Sequence, residues 1–285
     1  MPDVKRPDGA TIHYEVHGDG YPLLLLAPGG VNSQISFWER SAINPIAEFA
    51  DEFKVIAMDQ RHAGGSPAPA AKFSYAQMAA DQIAVLDDAG VTTAHVMGGC
   101  IGVAYVMRII HDAPERITAG VGQDPVGLDS SNAHSVFTAM FDPTVKVALE
   151  QGMGAVVAAA VEQPMFVFDN RGGPFAQRIH DDEAFRAEIL GMTAREYVAL
   201  IDAFSAGLWP RGSAFFSVPE RWLKTCPAPL LILPGNDPFH PAGISRRICA
   251  EAPRATCLEP DCRSEGKLRE TIEQVRSFLR EHRPD

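Results

Sequence analysis

Cys100 stands in the run Gly98-Gly99-Cys100-Ile101-Gly102. Before it lies a short strand-like apolar segment, Ala94 to Met97, and after it a nearly all-apolar helix-like segment ending at His111. A small-x-nucleophile-x-small turn from strand to helix is sharp. It forces the central residue into a strained backbone and projects its side chain. The glycines two before and two after leave room for neighbouring chain. The helix start adds free N–H groups and a positive dipole end, which favour a thiolate over a thiol. A thiolate held this way is a nucleophile for an electrophilic carbon. The plainer alternative is a glycine-rich turn around an inert buried cysteine, and the flanking strand and helix speak against it.

The elements around this turn follow an alternating pattern. Ala10 to Val16 reads as a strand, and Leu23 to Ala27 as a buried strand ending in Pro28-Gly29-Gly30. Phe37 to Ala50 has helical character, interrupted by Pro45. Lys54 to Met58 is again a strand, Tyr75 to Ala89 an amphipathic helix and Ile117 to Val121 a strand. From about Gly127 to Val218 helices follow one another, including Val145 to Val161, Asp182 to Leu190 and Thr193 to Phe204. Alternation then resumes with a strand at Pro229 to Leu233, a helix at Ile244 to Ala252, a strand at Ala255 to Leu258 and a closing helix at Lys267 to Arg280. Strands alternating with helices predict an α/β fold, a mostly parallel sheet flanked by helices. The expected division is a core of residues 1–126 and 219–285 with a helical cap insertion at 127–218.

Taken together these segments resemble the α/β-hydrolase superfamily along almost the whole chain, with the parts in the right order. Gly98-Gly99-Cys100-Ile101-Gly102 looks like the nucleophile elbow, and Pro28-Gly29-Gly30 like the oxyanion loop, with Pro28 where His is common. Asp59-Gln60-Arg61-His62-Ala63-Gly64-Gly65-Ser66 resembles a mostly structural segment of the family, and Gly235-Asn236-Asp237 the element that supplies the acid. The resemblance implies Cys100 as nucleophile, backbone N–H groups of Gly30 and Ile101 as an oxyanion hole, and Asp237 as the group that orients and stabilises a positively charged base. Cys replaces the usual Ser, as in dienelactone hydrolases and polyhydroxyalkanoate synthases, which this chain does not otherwise match closely. Thiolates suit acyl transfer from esters, lactones or thioesters.

The family's base is a His after the last strand. Here that window, Glu259 to Gly266, contains none. Only His240 and His282 follow Asp237, and His240, three residues on, falls at the carboxyl end of the sheet, where ligands of α/β folds bind. His240 is the first candidate for the base; a solvent-facing histidine at a helix start is the competing reading. His134, His180 and His62 are further candidates. Trp38 after the oxyanion loop, His134 at the start of the cap and Trp209 within it are expected at the substrate pocket, although packing of cap on core would also explain them. Asp124 before the cap could contact substrate or simply make a turn with Pro125.

Composition narrows the function classes. The 285 residues carry 25 Lys plus Arg and 36 Asp plus Glu, a formal charge of −11, and no basic stretch departs from that average. A nucleic-acid partner is therefore not expected. No apolar run approaches the roughly 18 residues a membrane span needs. The segment Met1-Pro2-Asp3-Val4 has no signal-like pattern, so a cytoplasmic protein is expected. The five cysteines, Cys100, Cys226, Cys249, Cys257 and Cys262, are odd in number and form no C-x-x-C pair. They are read as free thiols, mostly buried, rather than a disulfide framework or zinc site. No nucleotide or metal motif is present, so no cofactor is expected. The expected partner is a small, largely apolar carbonyl substrate; a homodimer is left open. The primary reading is a hydrolase of an ester, lactone or thioester through a Cys100 acyl-enzyme. The alternatives are a catalytically silent binder of the same fold, and lyase or acyl-transfer chemistry in the same pocket.

Overall fold

The computed structural model describes residues 2–284. Eight strands form one sheet: β1 (Asp3–Lys5), β2 (Thr11–His17), β3 (Tyr21–Leu26), β4 (Phe53–Met58), β5 (Ala94–Gly99), β6 (Ile117–Gln123), β7 (Leu230–Leu233) and β8 (Ala255–Cys257). Their spatial order is β1-β2-β4-β3-β5-β6-β7-β8. The pairs β1–β2 and β2–β4 are antiparallel, and every pairing from β4 to β8 is parallel. Side chains alternate across each strand, so one sequence run feeds two cores. Leu24, Leu26, Ile56 and Val96 face one way, towards α2 (Tyr75–Asp88), α3 (Ile101–Asp112) and α10 (Ala242–Glu251). Leu23, Leu25, Val55, Met97 and Val121 face the other way, towards α1 (Pro45–Phe49) and α11 (Leu268–Glu281). Strands covered on both faces read as continuous apolar runs, as Leu23 to Leu26 does.

Between β6 and β7 lie six helices: α4 (Ser135–Thr138), α5 (Asp142–Gln151), α6 (Met153–Glu162), α7 (Ala176–Asp181), α8 (Glu183–Gly191) and α9 (Ala194–Leu208). The start of α9 is fixed by a capping box: the Thr193 hydroxyl accepts from the Glu196 N–H, and the Glu196 carboxylate accepts from the Thr193 N–H at 2.8 Å. This helical stretch is pinned to the rest of the chain by polar and aromatic contacts. The Val167 N–H donates to Asn32 Oδ1 at 3.1 Å, and the Tyr75 hydroxyl donates to the Leu208 carbonyl at 2.9 Å. Phe204 stacks edge-on against Phe73 of the core and against Phe141 and Phe175 of the insertion. Among the described residues no helix is long and apolar enough to cross a membrane.

Three expectations are corrected here. The segment Phe37 to Ala50 is not one helix; it holds a 3-10 turn over Ile35–Arg40 and the five-residue α1, which starts where Asn44 caps it and Pro45 fixes the first position. The single helix expected over Val145 to Val161 is two helices, because Gly152 between them takes φ +83°. The third correction concerns the cysteines. Cys249 on α10 and Cys257 on β8 form a disulfide, with Cα atoms 5.9 Å apart. The chain turns back from α10 directly into β8, so residues eight apart in sequence meet side by side. Cys100, Cys226 and Cys262 are free. The pairing overturns the reading of all five cysteines as free thiols.

Candidate active site

β5 ends at Gly99 and α3 begins at Ile101, so Cys100 alone makes the turn, with φ +55° and ψ −120°. That is a conformation a non-glycine residue adopts only under constraint from its surroundings. The glycines are required by the closeness of the chain. A Cβ on Gly98 would lie 2.3 Å from the Gly102 carbonyl oxygen, and one on Gly102 would lie 2.0 Å from the Leu26 carbonyl oxygen. The Cys100 N–H donates to the Gln123 carbonyl at 2.8 Å, tying the turn to the end of β6. The thiol is half-buried.

The neighbouring loops leave the sheet beside this turn because the strands are in register. Leu26 of β3 pairs with Gly98 of β5, and Gly99 pairs with Gln123 of β6, which pairs with Leu233 of β7. Gly30 follows β3 at φ +60° and opens a 3-10 turn, Gly30–Asn32. Ile101 is the first residue of α3, where an N–H has no partner within the helix. The two residues expected to donate to an oxyanion therefore sit at the starts of two helical turns on adjacent loops. Beyond β7, Asp237 and His240 share one tight loop. The Asp237 carboxylate accepts from the N–H groups of Phe239 and His240 at 2.8 and 3.0 Å, and His240 Nδ1 donates to it at 2.8–2.9 Å.

Nδ1–H on the carboxylate leaves Nε2 as the nitrogen free for acid–base work. That atom is buried and forms no completed hydrogen bond, and the Cys100 sulfur lies close enough to act on the ring. Catalytic hydrogen bonds of this kind are often long before substrate binds. Burial works against a charged imidazole here, but the Cys100 sulfur and the Asp237 carboxylate outweigh it and lift His240 to about 9. For Asp237, burial works the other way, yet bonding to His240 holds its carboxyl below the usual range. The arrangement sets a charged imidazole, oriented by an acid, beside the Cys100 sulfur.

The remaining expected residues fall into two groups. Trp38 is fully buried in the core on the α1–α11 face, with its ring against Gly99, and borders a groove with His13, Glu15 and Asn44. His134 Nε2 donates to the Trp209 carbonyl at 2.7 Å. Trp209 is buried against Phe137 and Phe216, with ring centroids 4.8 and 5.0 Å away. These contacts account for both residues as packing; Phe137 carries the cluster on to Phe239, the neighbour of His240. His180 bonds the exposed Asp181. His62 is buried between Phe175 and Phe204, and burial with nearby Arg61 and Arg178 drives it down to about 3, so it stays neutral.

One pair was not expected. Arg263, in the window that lacks the late histidine, holds the Asp124 carboxylate with both guanidinium prongs and donates to the Pro234 carbonyl at 2.7 Å. The only sequence signal was a cation standing in that window. Asp124 takes φ +50°, so it does make a turn, but one fastened from 139 residues away.

A family model described as alpha/beta hydrolase fold matches residues 22–171. The chain belongs to the α/β-hydrolase fold family. Within that family it is 32% identical over 162 residues to RutD of Azorhizobium caulinodans, provisionally named a carbamate hydrolase, covering 57% of this chain and 56% of that protein. It is 30% identical over 208 residues to RutD of Variovorax paradoxus, which carries the same name, covering 68% of this chain and 74% of that one. The chain thus spans little more than half the length of the first relative. The meta-cleavage product hydrolase of Pseudomonas fluorescens superposes with a TM-score of 0.63 at 16% identity, covering 99% of this chain and 98% of that one, a likeness of fold.

Proposed function

We propose that this α/β-hydrolase-fold protein hydrolyses a small ester, lactone or thioester through a Cys100 acyl-enzyme. The observation that carries the reading is the half-buried Cys100 at a positive-φ turn, beside a histidine whose other nitrogen is fixed on Asp237. The Cys100 thiolate attacks the carbonyl carbon. The oxyanion is received by the N–H groups of Gly30 and Ile101, donors of a type that typically contributes about 10²–10³ each in rate. Collapse expels the leaving group, which takes the proton from His240 Nε2. Water then gives a proton to the neutral His240 and attacks the thioester. The acid departs, and the proton returns the site to its thiolate–imidazolium form. The helical stretch between β6 and β7 acts as a cap that excludes bulk water.

The names of the relatives support hydrolysis, and a carbamate is also a carbonyl with a heteroatom leaving group. Retention of the glycine-packed elbow favours an enzyme over a silent binder, since a binder gains nothing from a strained residue. Intact-protein mass spectrometry after brief mixing with an activated acetate ester and an acyl thioester tests the reading. A transient acetyl adduct on wild type, absent from Cys100→Ala, with free acid accumulating, is expected. An adduct that persists would move the assignment to an acyl carrier or transferase, and absence of any adduct would overturn it.

A further inference from the structure

We propose that Arg263 is a positioning residue for the Cys100–His240 pair, acting by neutralising and anchoring Asp124. The proposal rests on the functional reading only in that the pair is the reactive centre. Three chain segments meet at the Arg263 guanidinium: the loop after β8 that carries it, Asp124 at the end of β6, and Pro234 at the end of β7. Pro234 precedes Gly235, and at Gly235 the Asp124 carboxylate and the His240 side chain come together. A Cβ there would lie 2.5 Å from His240 Cβ and 3.1 Å from Asp124 Oδ1. No side chain fits between them, so the carboxylate packs directly on the loop that holds the base. Arg263 is itself mostly buried, with 18% of its side chain exposed.

Two groups act on the His240 ring directly, Asp237 on its own loop and Cys100 on the elbow. Asp124 at the end of β6 packs on that loop at Gly235, and Arg263 after β8 pairs with Asp124. With Arg263 in place, Asp124 is spent on the guanidinium and the ring answers to Asp237 and Cys100. Without it, an unpaired carboxylate packed on the Asp237–His240 loop adds its negative charge to that of Asp237. It also opposes the thiolate and holds the imidazolium proton too tightly. The tie from Arg263 to the Pro234 carbonyl further fixes where the Asp237–His240 loop leaves the sheet. The position where the family places its base therefore supplies this chain with the counter-charge for a base that sits one strand earlier.

The test is the pH dependence of Cys100 alkylation by iodoacetamide, with Cys226→Ser and Cys262→Ser as background and melting curves as the control for folding. Interacting groups titrate as a pair, so the profile has two apparent pKa values. Arg263→Met exposes an anion, and both values are expected to rise by about 1. Asp124→Asn leaves a cation unpaired, and both are expected to fall. The double variant returns towards wild type, and Arg263→Lys, which keeps the charge, stays close to it. A merely structural role would not produce shifts of opposite sign. Arg263→Met should also lower kcat by at least 10-fold with KM changed far less. If the two single variants shift the profile together, or leave it unmoved while folded, the proposal fails and the functional reading stands. If the profile responds as expected but no ester or thioester turns over, the functional reading fails and the positioning role stands. A wild-type profile of an ordinary thiol would overturn both.

Discussion

Two histidines lie on loops at the carboxyl end of the sheet, one after β4 and one after β7, and they behave oppositely. His62, after β4, is packed between Phe175 and Phe204 with Arg61 and Arg178 nearby, and its Nδ1 has no partner. His240, after β7, is half-buried, and it touches a carboxylate and lies beside a thiol. One is pushed down to about 3 and the other up to about 9. Burial alone silences an imidazole; burial with an acid on one nitrogen and a sulfur near the other charges it. Proximity to the carboxyl end of the sheet therefore does not by itself nominate a base.

Mutation gives the hardest test of that contrast. Cys100→Ala should abolish turnover, a fall of about 10³-fold or more, leaving only what the oxyanion donors supply; steady-state hydrolysis measures it. His240→Ala should follow with a loss of about 10²–10⁴ in kcat, whereas His62→Phe in the same assay should stay within about 3-fold of wild type. A loss at His62 as deep as that at His240 would break the comparison.

Stability against pH sharpens it. For His240 the folded value lies above the unfolded one, near 6.5. Its stabilising contribution is therefore complete below about 6.5 and disappears as pH rises through about 9. For His62 the folded value lies below the unfolded one. Its contribution is present above about 6.5 and is lost as pH falls towards about 3. The melting temperature of His240→Gln should therefore converge on wild type in alkali, whereas wild type should lose stability against His62→Phe in acid, where the buried ring must charge. A His62→Phe difference that does not change between neutral pH and acid would contradict that assignment. The smallest effect concerns neither histidine. Reduction of Cys249–Cys257, which closes a short loop, should cost about 2 kcal/mol in denaturant unfolding and leave the relative activity of the two histidine variants unchanged.

The sheet was legible because its strands are dense in Leu, Val and Ile and punctuated by Gly, Pro and Asp. Leu23 to Leu26, Lys54 to Met58 and Leu230 to Leu233 need no partner to be recognised. β1 was not, since Asp3–Lys5 is short, polar and largely exposed, and exists only by pairing with β2. Cys100 and the Asp237–His240 pair were legible for a different reason. Their determinants are local: glycines at fixed offsets in one case, three residues of separation in the other. The burial of Trp38 in the core on the α1–α11 face is not legible, because closeness in sequence to the oxyanion loop says nothing of which face of the sheet a side chain meets. The Arg263–Asp124 pair and the Cys249–Cys257 bridge depend on which strands become neighbours, and no spacing encodes that.

Asp237 and His240, the proposed acid and base, occupy one loop of four residues, where the two partners of such a pair usually arrive from separate strands. Their mutual alignment is therefore a matter of local chain geometry, set as soon as that turn forms. A misfolded or partly opened molecule can carry the pair away from the sulfur without separating the two partners. Loss of activity on partial unfolding should then reflect one distance, from loop to elbow, and recovery should need only that single docking event.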